Sequence, residues 1–262
     1  MLIDRFRLDG RVAVVTAASR GIGAATALAF AEQGADVVIA ARSRDDLAAV
    51  AARVAQLGRR AEPVACDLFE VANMATLVDT AIDRFGRLDI VVNNVGGTAP
   101  APFLDTDAAA FEHAFHFNVT TAFELTQRAA PHLLRGGHGS VVNITSAMGR
   151  LRDRGYSAYA TAKGALAHLT RQLAADLAPR VRVNAVAPGS IATEALSSVL
   201  NDDLRAKMVA ATPLRRLGDV EDIALAVLYL ASDAGSFVTG KIFEVDGGIE
   251  TPNLALGLPD LE

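Results

Sequence analysis

A doubly wound α/β fold, one parallel sheet with helices on both faces, is predicted for this sequence by three observations. Short β-branched runs recur through most of the chain, Ala- and Leu-rich stretches with helical spacing separate them, and the strand runs are apolar at successive positions. A strand with one wet face alternates; a strand buried on both faces does not. Strict alternation of strand and helix then implies right-handed crossovers that place helices on each side of the sheet. At 262 residues and 51% hydrophobic content the chain can fill one large core, so a single domain over residues 1–262 is expected.

The elements follow in order. RVAVVT (11–16) is the first strand, and TAASRGIG, Thr16 to Gly23, turns around Gly21 and Gly23 into a helix near 22–33. DVVIAA (36–41) and AEPVAC (61–66) are the next strands, each leading into a helix, near 45–57 and 71–85. LDIVVN (88–93) precedes a long helical stretch at 108–134, and GSVVNIT (139–145) precedes another at 157–178. VRVNAV (181–186), a helix near 220–232 and KIFEV (241–245) complete about seven strands. Ala192 to Gly218 carries no strand and is the one long excursion, of the kind that forms a lid over a site. A tail, 249–262, follows the last strand.

Composition excludes several function classes. A net charge of -5 and a pI near 5.6, without a basic block, give little attraction for nucleic acid or an anionic membrane. The single Cys66 cannot form an intramolecular disulfide, MLIDRFRLDG lacks the apolar run of a signal peptide, and no apolar run is long enough to cross a bilayer. A cytoplasmic protein without a membrane or nucleic-acid partner is expected. The histidines at 113, 116, 132, 138 and 168 form no HExxH or three-ligand pattern, so no metal is expected; Ser19 and Ser146 lie in no GxSxG elbow, which argues against a hydrolase.

A glycine turn between strand and helix presents bare backbone N–H groups and a helix N-terminus to a pyrophosphate, although the turn alone also fits a tight bend without a ligand. Asp67, Asn93, Asn94 and Gly96 all lie at or just past carboxyl ends of predicted strands, the edge along which open α/β sheets bind ligands. Tyr159 and Lys163, four apart on a predicted helix, share one face. As a bare pair they also fit a solvated face.

Taken together, TAASRGIG, CDL, NNVG, NITSAMG, YATAK and APGSIAT, in this order between Leu8 and Gly248, resemble the motifs of the short-chain dehydrogenase/reductase family. That family carries TGxxxGxG after the first strand, Asp after the third, NNAG after the fourth, Ser after the fifth, YxxxK in the next helix and PG after the sixth. The resemblance implies a Rossmann-type fold and a nucleotide-dependent oxidoreductase moving a hydride between a nicotinamide and a carbonyl or secondary alcohol carbon. It places the cofactor on Thr16, Ser19, Arg20, Gly21, Ile22, Gly23, Ala41, Arg42, Asp67, Leu68, Asn94, Gly96, Pro188, Gly189, Ile191 and Thr193, together with Tyr159 and Lys163. It implies catalytic roles for Asn118, Ser146, Tyr159 and Lys163: Tyr159 exchanges the proton, Lys163 favours the phenolate and holds the nicotinamide ribose, Ser146 bonds the substrate oxygen, and Asn118 holds a water near the lysine. A free phenol has a pKa of about 10, so a neighbouring cation is needed for it to act as a base near neutrality. Thr145 is the competing hydroxyl beside Ser146, while Tyr156 is set aside because Ala160 stands four residues beyond it.

Two positions depart from the family pattern. Ala17 replaces the first glycine and is expected to need a right-handed or extended backbone; Val95, in place of the Ala of NNAG, is taken as a packing variant. In this architecture an Asp or Glu about twenty residues past the glycine loop selects NAD(H) by accepting the ribose hydroxyls. Ala41 stands there, Arg42 follows, and Arg20 can approach from the loop, so NADP(H) is the expected cofactor and NAD(H) the alternative.

For the substrate, NNVGGTAPAPF, SIATEALSSVL and TPLRRLG are similar to bacterial hydroxysteroid dehydrogenases, whereas RRLG and VDGG also occur in 3-oxoacyl-carrier-protein reductases. Met148, Leu151, Ile191, Leu196 and Val199 predict an apolar pocket for a ring or long-chain ketone. Arg150, Arg152 and Arg154 are either a patch for an acidic carrier or a solvated loop. A catalytically inert dinucleotide-binding sensor or scaffold is disfavoured by the presence of both Tyr159 and Lys163. A homotetramer is expected, because 108–134 and 157–178 resemble the helices through which the family dimerises, and the tail is expected to cross a neighbouring subunit.

Overall fold

Every residue of β1 (Val12–Thr16), β2 (Asp36–Ala41), β4 (Ile90–Asn93) and β5 (Gly139–Ile144) is buried, which requires cover on both faces of the sheet. The computed structural model, which describes residues 1–197, 200–254 and 256–258, supplies that cover. Seven strands, all parallel, run in the order β3-β2-β1-β4-β5-β6-β7, with β3 at Ala61–Ala65, β6 at Val181–Pro188 and β7 at Ile242–Val245. Pro63, which has no N–H to give, sits on an edge strand where none is needed by a further neighbour.

One face packs α1 (Gly21–Glu32), α2 (Arg44–Gln56) and α9 (Val220–Ala231) around Val15, Val37 and Ile39; the other packs α3 (Asn73–Phe85), α5 (Thr121–Gly136) and α6 (Ser157–Leu177) around Val14, Val91 and Val183. The strand order reverses between β1 and β4, so their carboxyl ends splay into a crevice. This is a Rossmann-like single domain. Among the described residues no helix is long and apolar enough to cross a membrane.

The boundaries agree with the sequence reading within two residues for most elements, and three regions differ. First, 108–134 is not one regular helix: α4 (Ala108–Phe115), capped by Asp107 through the Ala110 N–H at 2.7 Å, passes into a π-helical turn over His116–Thr120 before α5 begins. Second, the Ala192–Gly218 excursion contains α7 (Glu194–Ser197) and α8 (Asp202–Ala211), the latter capped by Asn201. Its ends are pinned by an isolated bridge between Ile191 and Gly218 and by a 2.8 Å bond from Ala192 N to Gly218 O. Third, the described part of the tail packs on its own chain, where Asn253 is buried and bonds Ser190 and Thr212. Its partners, the Ser190 hydroxyl after β6 and the Thr212 hydroxyl at the end of α8, are ones that sequence spacing does not reveal.

Candidate active site

At the crevice Thr16 ends β1 and staples it to β4. Its hydroxyl accepts from Asn94 N at 2.9 Å and Val95 N at 3.1 Å and donates to Val92 O at 3.2 Å. The Asn94 amide donates to the carbonyls of Thr16 and Ala17, at 3.1 and 3.2 Å. That grip has a consequence for Ala17. Its φ is 50°, in the left-handed region, so the expected right-handed or extended backbone is corrected: the loop must bend sharply here while both carbonyls are held inward.

The next turn needs its glycines. A Cβ on Gly23 would lie 2.3 Å from the Ala17 carbonyl oxygen, and Gly21 has φ 57°. Helix α1 therefore starts hard against the end of β1, and Arg20, its N-cap, provides no side-chain cap. The first N–H groups are left for a ligand. Gly23 and Thr16 thus shape the loop, rather than line its surface.

Two joined cavities follow the sheet edge. A space of about 790 Å³ is lined by Ser19, Ala41, Arg42, Asp67 and Leu68. Ala17, Arg20 and Gly96 border both it and a second space of about 480 Å³, which Gly21, Ile22, Asn94, Ser146, Tyr159, Lys163, Pro188, Gly189, Ile191 and Thr193 line. The elongated cleft, the glycine approach that any side chain would block and the open helix N-terminus fit a dinucleotide. Arg20 also stands 3.4 Å from Glu194, both exposed, a carboxylate pairing that competes with a cofactor phosphate for the guanidinium.

In the second cavity Lys163, on α6, is 3% exposed and donates to Ile144 O at 2.9 Å. Burial lowers its pKa from 10.5 to about 8. Its Nζ lies 5.9 Å from the centre of the Tyr159 ring. Burial raises the Tyr159 phenol above its ordinary value while the Ser146 hydroxyl acts in the opposite direction. In the protein alone, then, desolvation outweighs the Ser146 hydrogen bond, and the phenol is an acid with its proton in place. Thr145 and Ser146 both border the cavity, but the Thr145 hydroxyl is spent on Val186 O at 3.0 Å, whereas the Ser146 hydroxyl is turned toward Tyr159.

Asn118 belongs to the π-helical turn. Its Nδ2 donates to Ala114 O at 2.8 Å and its Oδ1 accepts from Gly97 N at 2.9 Å. A Cβ on Gly96 would come within 2.6 Å of Asn118 Oδ1 and 2.8 Å of Lys163 Nζ, so both groups converge on a residue that must be glycine, at φ 151°. π-Helical turns recur at functional sites because one extra residue re-aims a side chain.

Other side chains have neighbours that the sequence did not identify. Tyr156 lines the same cavity, its ring 6.4 Å from that of Tyr159, although it has no lysine one turn on. Arg150 is exposed, as a solvated loop requires, but it is not a free cation: it pairs with Glu244, Asp246 and Glu250, at 3.0, 2.8 and 3.3 Å, and donates to Ile249 O. Arg154 donates to Leu258 O at 3.0 Å, while Arg152 is exposed. Of the expected apolar lining, Met148, Ile191 and Leu196 face the cavity, but Leu151 is buried against Ala147 and Ile249; Val199 lies outside the described residues. Sequence reasoning missed Gly149, where a Cβ would sit 3.1 Å from the Lys163 backbone; that contact lets the turn carrying Ser146 approach α6. It also missed a buried chain of amides in which Asn93 donates to Asn143 at 2.8 Å and Asn143 to Thr170 at 2.9 Å, tying β4 and β5 to α6.

Comparison with known proteins agrees with this geometry. Residues 16–250 match the family model described as enoyl-(acyl carrier protein) reductase. The chain is 59% identical over 263 residues to an oxidoreductase of Mycobacterium tuberculosis, covering 100% of both. It is 42% identical over 246 residues to 7alpha-hydroxysteroid dehydrogenase of Escherichia coli K12, covering 94% of this chain and 96% of the relative. It is 33% identical over 244 residues to the 3-oxoacyl-[acyl-carrier-protein] reductase FabG of Thermotoga maritima, covering 93% and 99%. A solved 7 alpha-hydroxysteroid dehydrogenase complexed with NADH and 7-oxo glycochenodeoxycholic acid superposes with a TM-score of 0.92 at 40% identity, over 95% of this chain and 98% of that one. The fold and cleft are those of a nicotinamide-dependent oxidoreductase acting on alcohol and ketone groups. The chain belongs to the short-chain dehydrogenase/reductase family.

Proposed function

We propose that the protein is an NADP(H)-dependent oxidoreductase that interconverts a ketone and a secondary alcohol on an apolar, hydroxysteroid-like ring or a long-chain substrate. The observation that carries this reading is the buried Lys163 beside the Tyr159 ring in a cavity walled by Met148, Ile191 and Leu196. When bound, the nicotinamide cofactor supplies the hydride in reduction and takes it in oxidation. Ser146 donates a hydrogen bond to the substrate oxygen, and Tyr159, its phenol held protonated by burial, gives that oxygen its proton. In the reverse direction Tyr159 takes the proton, and the Lys163 ammonium favours the phenolate so formed. With a pKa near 8 the ammonium persists at neutral pH and is lost above it. Asn118 orders the water that joins Lys163 to solvent.

Cofactor choice rests on β2. Ala41 ends that strand without a carboxylate, and Arg42 and Arg20 border the same cavity. The exposed Arg20–Glu194 pair is weak in water and yields readily to a phosphate. Each charge-assisted bond to a 2′-phosphate contributes about 1.5–3 kcal/mol, roughly tenfold to a hundredfold in affinity. The family model's description and the FabG relative keep a 3-oxoacyl thioester as the second reading, but Arg150, spent on three carboxylates, no longer serves a carrier protein. The excursion over 192–218 is read as the substrate lid. Phe111 and Phe115, 38% and 40% exposed on α4, favour association of that face in a homotetramer.

Steady-state kinetics with NADPH and NADH over ring ketones, 3-oxoacyl thioesters and short hydroxy acids test the proposal. A preference of at least about tenfold for NADPH with ring ketones is expected, reversed by Ala41→Asp with Arg42→Ala. Equal or better use of NADH, or preference for short hydroxy acids, refutes it.

A further inference from the structure

We propose that the tail after β7, through Pro252, Asn253 and Leu254, is a wall of the substrate site that admits a short apolar substituent, with Asn253 as the positioning residue that locks it. A chamber of about 80 Å³ opens beside the active-site cavity. The two share Ser146, Met148, Tyr156 and the Pro188–Ser190 turn; the chamber's remaining wall is Ala147, Ile249 and the tail. At about 30 Å³ per water-sized group the chamber holds roughly three heavy atoms. Because Ser146 borders both spaces, the substituent that enters lies close to the reacting carbon.

The tail is held there by bonds that a fraying surface segment does not make. Asn253 is buried, and its amide orientation is fixed at both ends. Ser190 Oγ donates to Oδ1 at 2.7 Å, while Nδ2 donates to Thr212 Oγ1 at 2.9 Å, and that hydroxyl in turn donates to Met208 O at 2.8 Å. One side chain thereby joins the turn after Gly189, the end of α8 and the tail. A second tie lies upstream, where Arg150, four residues after Ser146, donates to Ile249 O at 2.6 Å. Both anchors attach the tail to loops that carry the active-site groups. Its position is therefore set by the same structure that sets Ser146 and Gly189.

The turnover arm of the test rests on the ketone oxidoreductase reading above; the binding arm does not. The probes are cyclohexanone and its 2-methyl, 2-ethyl, 2-propyl, 2-butyl and 2-hexyl derivatives, with NADPH. Relative to cyclohexanone, kcat/KM of the unmodified protein should rise about fourfold per carbon while the chain fits, as burial of a methylene predicts, and fall beyond propyl. Leu254→Ala should move the optimum one or two carbons longer, and Leu254→Phe should move it toward methyl. Asn253→Ala should lower the propyl-to-unsubstituted ratio about tenfold, with the change in KM rather than kcat; a role in folding alone lowers turnover of every ketone together with Tm. If no ketone is turned over, the proposed function fails by itself, and calorimetric binding of the same series to the unmodified and Leu254 variants still reads the wall. The same shift in preferred length supports it. An unaltered length preference in both Leu254 variants overturns the inference, as does an equal loss for all chain lengths.

Discussion

Replacing Lys163 by Met should abolish turnover and yet stabilise the protein at neutral pH. The ammonium is 3% exposed, and burial moves its pKa from 10.5 to about 8. At about 1.4 kcal/mol per pH unit, holding the charge inside costs about 3 kcal/mol below pH 8. Met removes that cost and fills similar volume, but it leaves Ile144 O without its 2.9 Å donor, a loss of about 1 kcal/mol. The net gain at pH 7 is about 2 kcal/mol. The sign reverses with pH. Between 8 and 10.5 the unfolded lysine keeps a proton that the folded one has released, so the unmodified protein gains stability as pH rises through that window, and the variant does not. By pH 10.5 the variant should be the less stable by about 1 kcal/mol, the lost hydrogen bond alone. Urea unfolding followed by far-UV circular dichroism at equal protein concentration, at pH 7 and pH 10.5, measures both numbers. A variant less stable at pH 7, or a difference unchanged between the two pH values, refutes the buried-charge account.

Tyr159→Phe should reduce kcat by at least about three orders of magnitude, beyond the usual contribution of a positioned acid or base at its lower range, while NADPH affinity measured by fluorescence titration stays within about threefold; normal turnover contradicts the proton-transfer assignment. Gly23→Ala, which puts a Cβ 2.3 Å from the Ala17 carbonyl, should push α1 off β1 and weaken NADPH binding at least about tenfold, because that approach is backbone against backbone. Ala17→Gly should raise Tm by about 1–3 °C: relief of a left-handed alanine, about 1–2 kcal/mol, exceeds the added chain entropy of glycine, about 0.5–1 kcal/mol. A fall in Tm there shows that the bend at φ 50° is unstrained.

The strands were legible because burial on both faces leaves no alternation, and every residue of β2 from Asp36 to Ala41 is buried as its run DVVIAA implies. The site's order was legible because its residues sit at strand ends, which topology brings to one edge. What escaped was set by partners far along the chain. The carboxylates that consume Arg150 lie at Glu244, Asp246 and Glu250, and no pattern near residue 150 announces them. Asn253 is similar, since its partners at Ser190 and Thr212 are loop hydroxyls. Helix α8 is a different case: Asn201 followed by Asp202 and Asp203 is a helix start by its cap and first-turn charges, a signal present in the sequence but unused.

The irregular features concentrate where the chemistry is placed, and one edge sustains them. Ala17 in the left-handed region, a lysine buried as a cation and an extra residue in the helix at Asn118 each cost stability on their own. Each is held by a bond from a neighbouring element. Asn94, at the end of β4, holds the Ala17 carbonyl; Ile144, at the end of β5, holds Lys163; Ala114, the last buried residue of α4, receives the Asn118 amide. Periodicity cannot display the last of these, because a helix with one added residue keeps nearly the same apolar stripe before and after it. Yet without that residue Asn118 would point along the regular helix face, and its oxygen would not meet Lys163 across Gly96, where an added Cβ would touch both groups.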